Sequence, residues 1–482
     1  MSAPLVLDAR TERIVRGPLA FEVLRFGAPL ALGMGLQTAF NLVDAYIIAR
    51  LPSDVSGPAL GAIGICDQLA ALGTIVSYGI SVAAASLVSR AWGRGDHDEA
   101  RRIAWQSGLL VLALGLLFAL VGGLGAKTLL SEVIGVKGQV AERGAKYLSV
   151  VMGGGVTMFL MLHCASLLRA VGSSKTPVIW LVLGNALNFL FAVLFVYGPG
   201  EAPGILAWGP PWAQALGVPR LELLGAGVAT LLARALVLLP LVFFAAKALG
   251  FLQKRPPLAP DRALSVAVLR LAWPSSAELV VRMCAMLLTH ALVARAFTTA
   301  TDQSATTALG IVFRFETMAL FISIGWGSAV QTFVGQNLGA NEPTRAKHSG
   351  YWAALYNTLM LAGLSLLYVA FATSIIGFFD RDPRVLSIAQ SYLAWVAPSY
   401  AALGVGIVLG SVMQGAGAPE RALILDACVV FMVQVPASAL VLSSEQRSLT
   451  QVWLVVALSY VALAVTLLAS YKRGRFLRAA LA

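Results

Sequence analysis

The chain has 482 residues, 58% of them hydrophobic and 12% charged, with a formal net charge of +12. Water-soluble globular chains run at roughly 45–50% apolar and roughly 25% charged residues, so water is excluded as the only solvent. The basic residues gather beside long apolar runs, where they report membrane topology and not a nucleic-acid partner.

Twelve apolar runs follow one another, each near the ~20 residues that carry a helix across a ~30 Å hydrocarbon layer. They predict helices over 19–49, 59–88, 102–125, 141–168, 176–198, 222–249, 264–296, 306–335, 350–378, 387–412, 421–442 and 450–471. An unpaired backbone amide in lipid costs several kcal/mol, so each span should be helical throughout unless it lines a cavity. The alternating polarity of a membrane β-barrel is absent. The first run is too long for a signal peptide and no small-residue cleavage site follows it, so it is expected to remain as the first span.

Arg10, Arg13 and Arg16, the basic residues from Arg90 to Arg102, Arg169 and Lys175, those from Lys247 to Arg262, and those from Lys472 to Arg478 all fall on one side of the spans. The opposite loops carry fewer, chiefly Lys127, Lys137, Arg143, Lys146, Arg220, Arg381, Arg384 and Arg447. The basic side is expected to be cytoplasmic, which puts both termini inside a plasma (inner) membrane. The expected organisation is a cytoplasmic segment at 1–18, a six-helix lobe at 19–250, a proline-rich basic linker at 251–263, a second six-helix lobe at 264–471 and a basic tail at 472–482. Trp92, Trp105, Trp208, Trp212, Trp273 and Trp453 lie near span ends, where indole rings favour the headgroup level. Cys66, Cys164, Cys284 and Cys428 fall inside spans without metal-ligand spacing and read as buried packing residues.

Ionisable groups inside spans are costly and therefore candidate functional groups. In the first span Gln37, Asn41 and Asp44 are spaced by four and three and share a helix face, with Asp44 as the expected carrier of a proton or sodium ion. Asn185 and Asn188 in the fifth span can extend that polar pocket. Thr230 in the sixth is a weaker candidate, because membrane hydroxyls commonly bond their own backbone. In the seventh span Glu278 and Arg282 have the spacing and order of an intrahelical ion pair. Arg314 and Glu316 in the eighth are two apart and must reach neighbouring helices instead. These four, with Gln37 and Asn41, form the expected substrate cleft or second polar network. Asp67, Arg234 and Asp426 have no assignable partners, although Asp426 near Arg421 suits a membrane interface. His163 and His290 read as packing residues before proton relays.

The chain also matches itself at about half its length. Ala28-Pro29 returns as Trp273-Pro274, Tyr147-Leu148 as Tyr392-Leu393 and Gly172 as Gly417, all at a shift of 245, and the segments 86–101 and 332–347 align at 246. Six helices per half is an even number, so the halves enter from the same side as a parallel repeat. The fold class is all-α, twelve spans in two six-helix lobes, with a mid-membrane cleft between lobes as the expected substrate path.

Several motifs in order resemble the MATE (multidrug and toxic compound extrusion) family of the MOP flippase superfamily over nearly the whole chain. They are Pro29 and Pro274, VGQNLGANEPTRA at 334–346, LRAVGSSKTP at 168–177, LGNALN at 183–188, GAGVAT at 225–230 and VMQGAG at 412–417. The resemblance implies efflux of amphipathic, often cationic compounds in exchange for protons or sodium, with Asp44 as the aspartate of a first-lobe cation site. Asn188 and Thr230 match the family's asparagine and threonine there. The acid often found four residues after that asparagine is Ala192 here, and Arg282 stands where one sodium-coupled branch carries a glutamate, while Glu278 matches an acid of other members. These departures favour protons over sodium.

The expected function is a secondary antiporter that exports small organic, amphipathic and cationic molecules by alternating access, as a monomer embedded in the lipid bilayer. No cofactor is expected, and no metal beyond a sodium ion near Asp44. No GxxxxGK[ST] sequence is present, so ATP is not the expected energy source. The alternative is a flippase for a lipid-linked precursor, with Arg234, Arg282 and Arg314 lining a cationic cleft. A membrane enzyme would concentrate acid, base, nucleophile or metal ligands, and no such cluster is seen. A receptor would leave the internal repeat unexplained.

Overall fold

The computed structural model describes residues 8–254, 259–299, 301–474 and 476–477, the side chains of residues 39, 41, 42, 53 and 54 excepted. In lipid the only partners for backbone amides are the chain's own carbonyls, and the apolar runs coil into helices with no strand among the described residues. A short amphipathic helix, α1 (Ala9–Arg16), is capped by the Asp8 carboxylate. It precedes α2 (Leu19–Ala49), α3 (Ser53–Gly93) and α4 (His97–Thr128). The fourth predicted span is two helices, α5 (Gly138–Gly153) and α6 (Gly155–Ala170), bent by 40° at their junction. Then come α7 (Lys175–Tyr197), the short α8 (Gly209–Ala215), α9 (Glu222–Ala248), α10 (Arg262–Phe297), α11 (Ser304–Gly339), α12 (Pro343–Ala370) and α13 (Ala372–Gly377). A tight turn at Ala397–Ser399 joins α14 (Pro383–Val396) to α15 (Tyr400–Gly415), and a widened turn joins α16 (Pro419–Val429) to α17 (Val435–Ser443), before α18 (Leu449–Arg473).

Eleven stretches are long and apolar enough to cross a membrane, or twelve when α5 and α6 form one broken span. The outer surface is apolar as lipid requires: Leu124 is 82% exposed, Leu239 71% and Leu366 70%. In water each would forgo roughly 1.5–3 kcal/mol of burial. Among the linking segments, Asp302 precedes α11, accepting from the Ser304 hydroxyl at 2.6 Å and its amide at 3.0 Å. Those bonds, with Arg384 nearby, hold the Asp302 carboxyl below the usual carboxylate range. Part of the predicted linker (residues 255–258) and of the basic tail (475 and 478–482), like the first seven residues, lies outside the described residues.

The repeat is visible in the backbone. Helices α3 and α11 are each followed by a turn with a left-handed residue, Gly95 (φ 76°) and Asn341 (φ 63°), and the same shift relates Gly172 (φ 85°) to Gly417 (φ 77°) within a residue. The fourth span breaks at Gly154 and the tenth at Ala397–Ser399, which are equivalent positions.

By packing, Met1–Gly35, Ala85–Asp96 and Trp273–Ala482 form one compact unit, and Leu36–Ala84 with His97–Ala272 form another. In the first, α11 is the central helix, with every residue from Ile322 to Leu338 buried. Small residues allow this depth: a Cβ at Gly335 would overlap the Ser89 hydroxyl, and one at Gly339 the Arg90 carbonyl. Close backbone approach of this kind is how membrane helices gain dispersion contacts without a hydrophobic drive. Helix α1 docks on the same unit, where Arg345 donates to the Ile14 carbonyl at 3.1 Å and the Gly17 carbonyl at 2.5 Å. In the second unit α7 packs on α9 and α4 on α5 and α6, around Ile47, Ile48, Leu148, Val193 and Tyr197.

Two readings of single residues are corrected. Trp92 and Trp453 are buried against protein rather than turned toward lipid: Trp92 donates to Asp8 at 3.3 Å, and Trp453 packs edge-on to Tyr392. Cys66 and Cys164 are buried as expected, but Cys284 is partly and Cys428 fully exposed, because their helix faces turn outward. His163 is enclosed between the hydroxyls of Ser81 and Ser107 at 3.4 and 3.2 Å, a satisfied packing histidine. His290 lies against the Phe313 ring.

Candidate functional site

A carboxylate taken out of water needs a donor, a counter-charge, a proton or a cation. In the second unit that carboxylate is Asp44, partly buried on α2. The Asn188 amide, from α7, donates to both of its oxygens, at 2.9 and 2.8 Å. The Asn188 carbonyl oxygen and the Asn185 amide nitrogen are buried without a hydrogen-bond partner among the described residues. Asn185, one turn earlier, therefore lies beside the site without bonding Asp44. The Thr230 hydroxyl donates to its own helix at Ala226, 2.9 Å away, so only its lone pairs remain for another group. Gln37 is partly buried, and no hydrogen bond joins it to Asp44 among the described residues. The Asn41 side chain lies outside the described residues.

Two of the residues left without partners by sequence reasoning, Asp67 and Arg234, assemble around Asp44 together with Tyr147. Tyr147, on α5, donates its hydroxyl to Asp67 of α3 at 3.2 Å, and Gly227 of α9 makes room for the Tyr147 ring, which a Cβ at that position would meet at 3.2 Å. Arg234, two turns further along α9, acts electrostatically on Asp44, Asp67 and Tyr147. Asp67 is exposed where Asp44 is not, so the pair has an accessible member and a sheltered one. Ala192, where a further acid was expected by resemblance, is buried in the apolar core.

The first unit holds a separate polar network. Arg282 bonds Glu278 at 2.8 Å and Asp426 at 3.0 Å, with side-chain exposures of 11%, 7% and 2% respectively. Gln414 donates to the other Glu278 oxygen at 2.9 Å, and Gln331 to Gln414 at 2.7 Å. Asp426 is thus a buried ion-pair member with Arg282 as its partner. Glu316 stands apart from Glu278 and accepts from both Tyr392 and Tyr460. Arg282, Glu316, Asp426 and Tyr460 line one cavity of about 40 Å³, enough for a water or two. Arg314 is exposed and joins neither cluster, since its neighbour Glu316 takes the buried face of α11. Gln414 sits in the VMQGAG motif quoted above and Gln331 three residues before VGQNLGANEPTRA; sequence reasoning singled out neither, and a polar amide inside an apolar run is the signal that could have found them.

The MatE family profile matches residues 29–194 and 278–440. A protein named FAD transporter, from Shewanella oneidensis, is 24% identical over 433 residues, 89% of either chain. The probable multidrug resistance protein YpnP of Bacillus subtilis is 23% identical over 88% of this chain and 89% of its own. Among solved structures, an outward-facing multidrug resistance MATE family transporter superposes with a TM-score of 0.84 at 20% identity, covering 98% of this chain and 99% of that one. A MOP superfamily transporter from Pyrococcus furiosus, described as having a binding pocket of reverse polarity, gives 0.83 at 20% identity and 98% coverage of both. At this identity the structural likenesses carry the fold.

Proposed function

The chain belongs to the MatE family of secondary transporters, and on that premise we propose that it is an antiporter exporting small amphipathic, chiefly cationic organic compounds in exchange for protons. The observation that carries this reading is the carboxylate of Asp44, held through both oxygens by Asn188 at 2.9 and 2.8 Å within a membrane-spanning helix. Such a group gains or loses a single charge, and that charge changes which packing of the surrounding helices is favoured. A coupling ion drives a cycle only through its different affinity for two states.

In the cycle, Asp44 takes up a proton from the outer side, the surrounding helices repack, cargo leaves outward, and the proton is released inward on return. Protons are preferred to sodium because Arg282 is engaged with Glu278 and Asp426, so that network already holds its cation. The protein works as a monomer in the inner membrane with both termini in the cytoplasm.

A second reading concerns cargo. The relative from Shewanella is named for FAD, an anionic aromatic molecule, so an anionic cargo is the alternative to a cationic one. Purified protein in liposomes, given ethidium or FAD under a pH gradient or a sodium gradient, separates these readings. Ethidium movement under the pH gradient supports the first; FAD movement alone supports the second; movement of neither directs the search to a lipid-linked cargo.

A further inference from the structure

Asp44 and Asp67 are two carboxylates in a cluster contributed by α2, α3, α5, α7 and α9. The charged and titratable groups facing them are Cys66 beside Asp67, Tyr147 on α5 and Arg234 on α9. Each polar contact made to the two carboxylates is a donor. Asn188 presents its amide N–H groups to both Asp44 oxygens, and Tyr147 presents its O–H to Asp67. The one fixed positive charge is Arg234, partly buried and in no ion pair within 4 Å among the described residues.

Hard cations are held by several oxygens at once, whereas a proton needs one carboxylate oxygen and no shell. Among the described residues the free acceptors beside the two carboxylates are the Asn188 carbonyl oxygen and the Thr230 hydroxyl, fewer than the shell a hard cation gathers, and the guanidinium opposes a second cation there. Its charge is that of two acids and one base, a net −1, which one proton neutralises. We infer that Arg234, working with Asp67, sets the coupling ion: it is the fixed counter-charge of the Asp44 cluster and makes that cluster take a proton and refuse sodium. The inference rests on Asp44 being the coupling residue. It makes Arg234 a specificity-determining residue and Asp67 the second acid of the site, contributed by α3 where α7 carries Ala192.

Two readouts test it. Purified wild type and Arg234→Gln are compared for retention of radioactive sodium, which needs no knowledge of the cargo, and in liposomes for ethidium export under a pH or a sodium gradient. The expected result is background sodium retention and proton-driven export for wild type, and at least about a tenfold rise in sodium retention with new sodium-driven export for Arg234→Gln. That rise follows from removing a fixed positive charge whose field reaches both carboxylates, since at an effective dielectric of about 20 repulsion over roughly 10 Å is still worth about tenfold in affinity. Asp67→Asn combined with Arg234→Gln restores the net −1 and should abolish the sodium response.

Equal sodium retention by wild type and Arg234→Gln overturns the inference. Ethidium standing still in wild type under both gradients is instead a failure of the efflux reading, and sodium retention still decides the part played by Arg234. Should Arg234→Gln fail to fold, Asp67→Asn alone decides. Removing its charge weakens proton uptake at Asp44, so half-maximal export moves to lower pH, and an unmoved profile overturns the inference.

Discussion

Replacing Arg282 by Met should unfold the first packing unit at markedly lower temperature. The guanidinium bonds Glu278 at 2.8 Å and Asp426 at 3.0 Å, and all three side chains are at most 11% exposed. Methionine fills most of the volume but leaves two buried carboxylates facing each other without their counter-charge. Breaking a buried ion pair from one side costs about 3–5 kcal/mol. For a cooperative unit of roughly 250 residues, about 2 °C per kcal/mol applies, so the melting temperature should fall by roughly 6–10 °C. The measurement is intrinsic tryptophan fluorescence of detergent-purified protein during heating, with size-exclusion chromatography as a check on the starting state. The triple variant Glu278→Gln, Arg282→Met, Asp426→Asn removes all charge together and should lie within about 3 °C of wild type, because uncharged replacements of a buried triad are often close to neutral. A single variant that melts within about 2 °C of wild type would refute the claim that the network is held by its charges.

Three further outcomes follow from named contacts. Gly335→Val puts a side chain into the Ser89 hydroxyl and should cost about 1–3 kcal/mol or more, read as lost monodisperse yield, whereas Gly363→Ala meets open space and should purify like wild type. Tyr392→Phe with Tyr460→Phe strips both donors from Glu316 and should destabilise by about 1.5–3 kcal/mol per bond, while Tyr46→Phe, outside that cluster, should not; melting curves check both. Arg345→Ala removes the two bonds that hold the end of α1, so trypsin should cut at Arg13 and Arg16 at least several-fold faster while leaving the spans intact.

The spans and their number were legible because hydrocarbon thickness imposes a length and a polarity on any crossing helix. The repeat was legible because each half solves the same packing problem with the same turns, as Gly95 and Asn341 show by sharing a left-handed backbone. Breaks inside spans were not, because a bend at Gly154 depends on what packs beside it and not on local composition. Asp44 and Asn188 were singled out separately, and they stand 144 positions apart in the chain. Partners at such distances are chosen by tertiary packing, which periodicity along one helix cannot encode. The same limit hid the pairing of Asp67 with Tyr147 and of Arg282 with Asp426. Arg314 misled for the opposite reason: a charge inside an apolar run marks a functional group only when its helix face turns inward.

Coupling through Asp44 is tested most directly by ethidium export from liposomes containing wild type or Asp44→Asn, under an imposed pH gradient. The asparagine keeps the size of the side chain and removes the proton-carrying group. The account predicts export by wild type and background counts for Asp44→Asn in protein that inserts and elutes normally. Export by Asp44→Asn at the wild-type rate would contradict it.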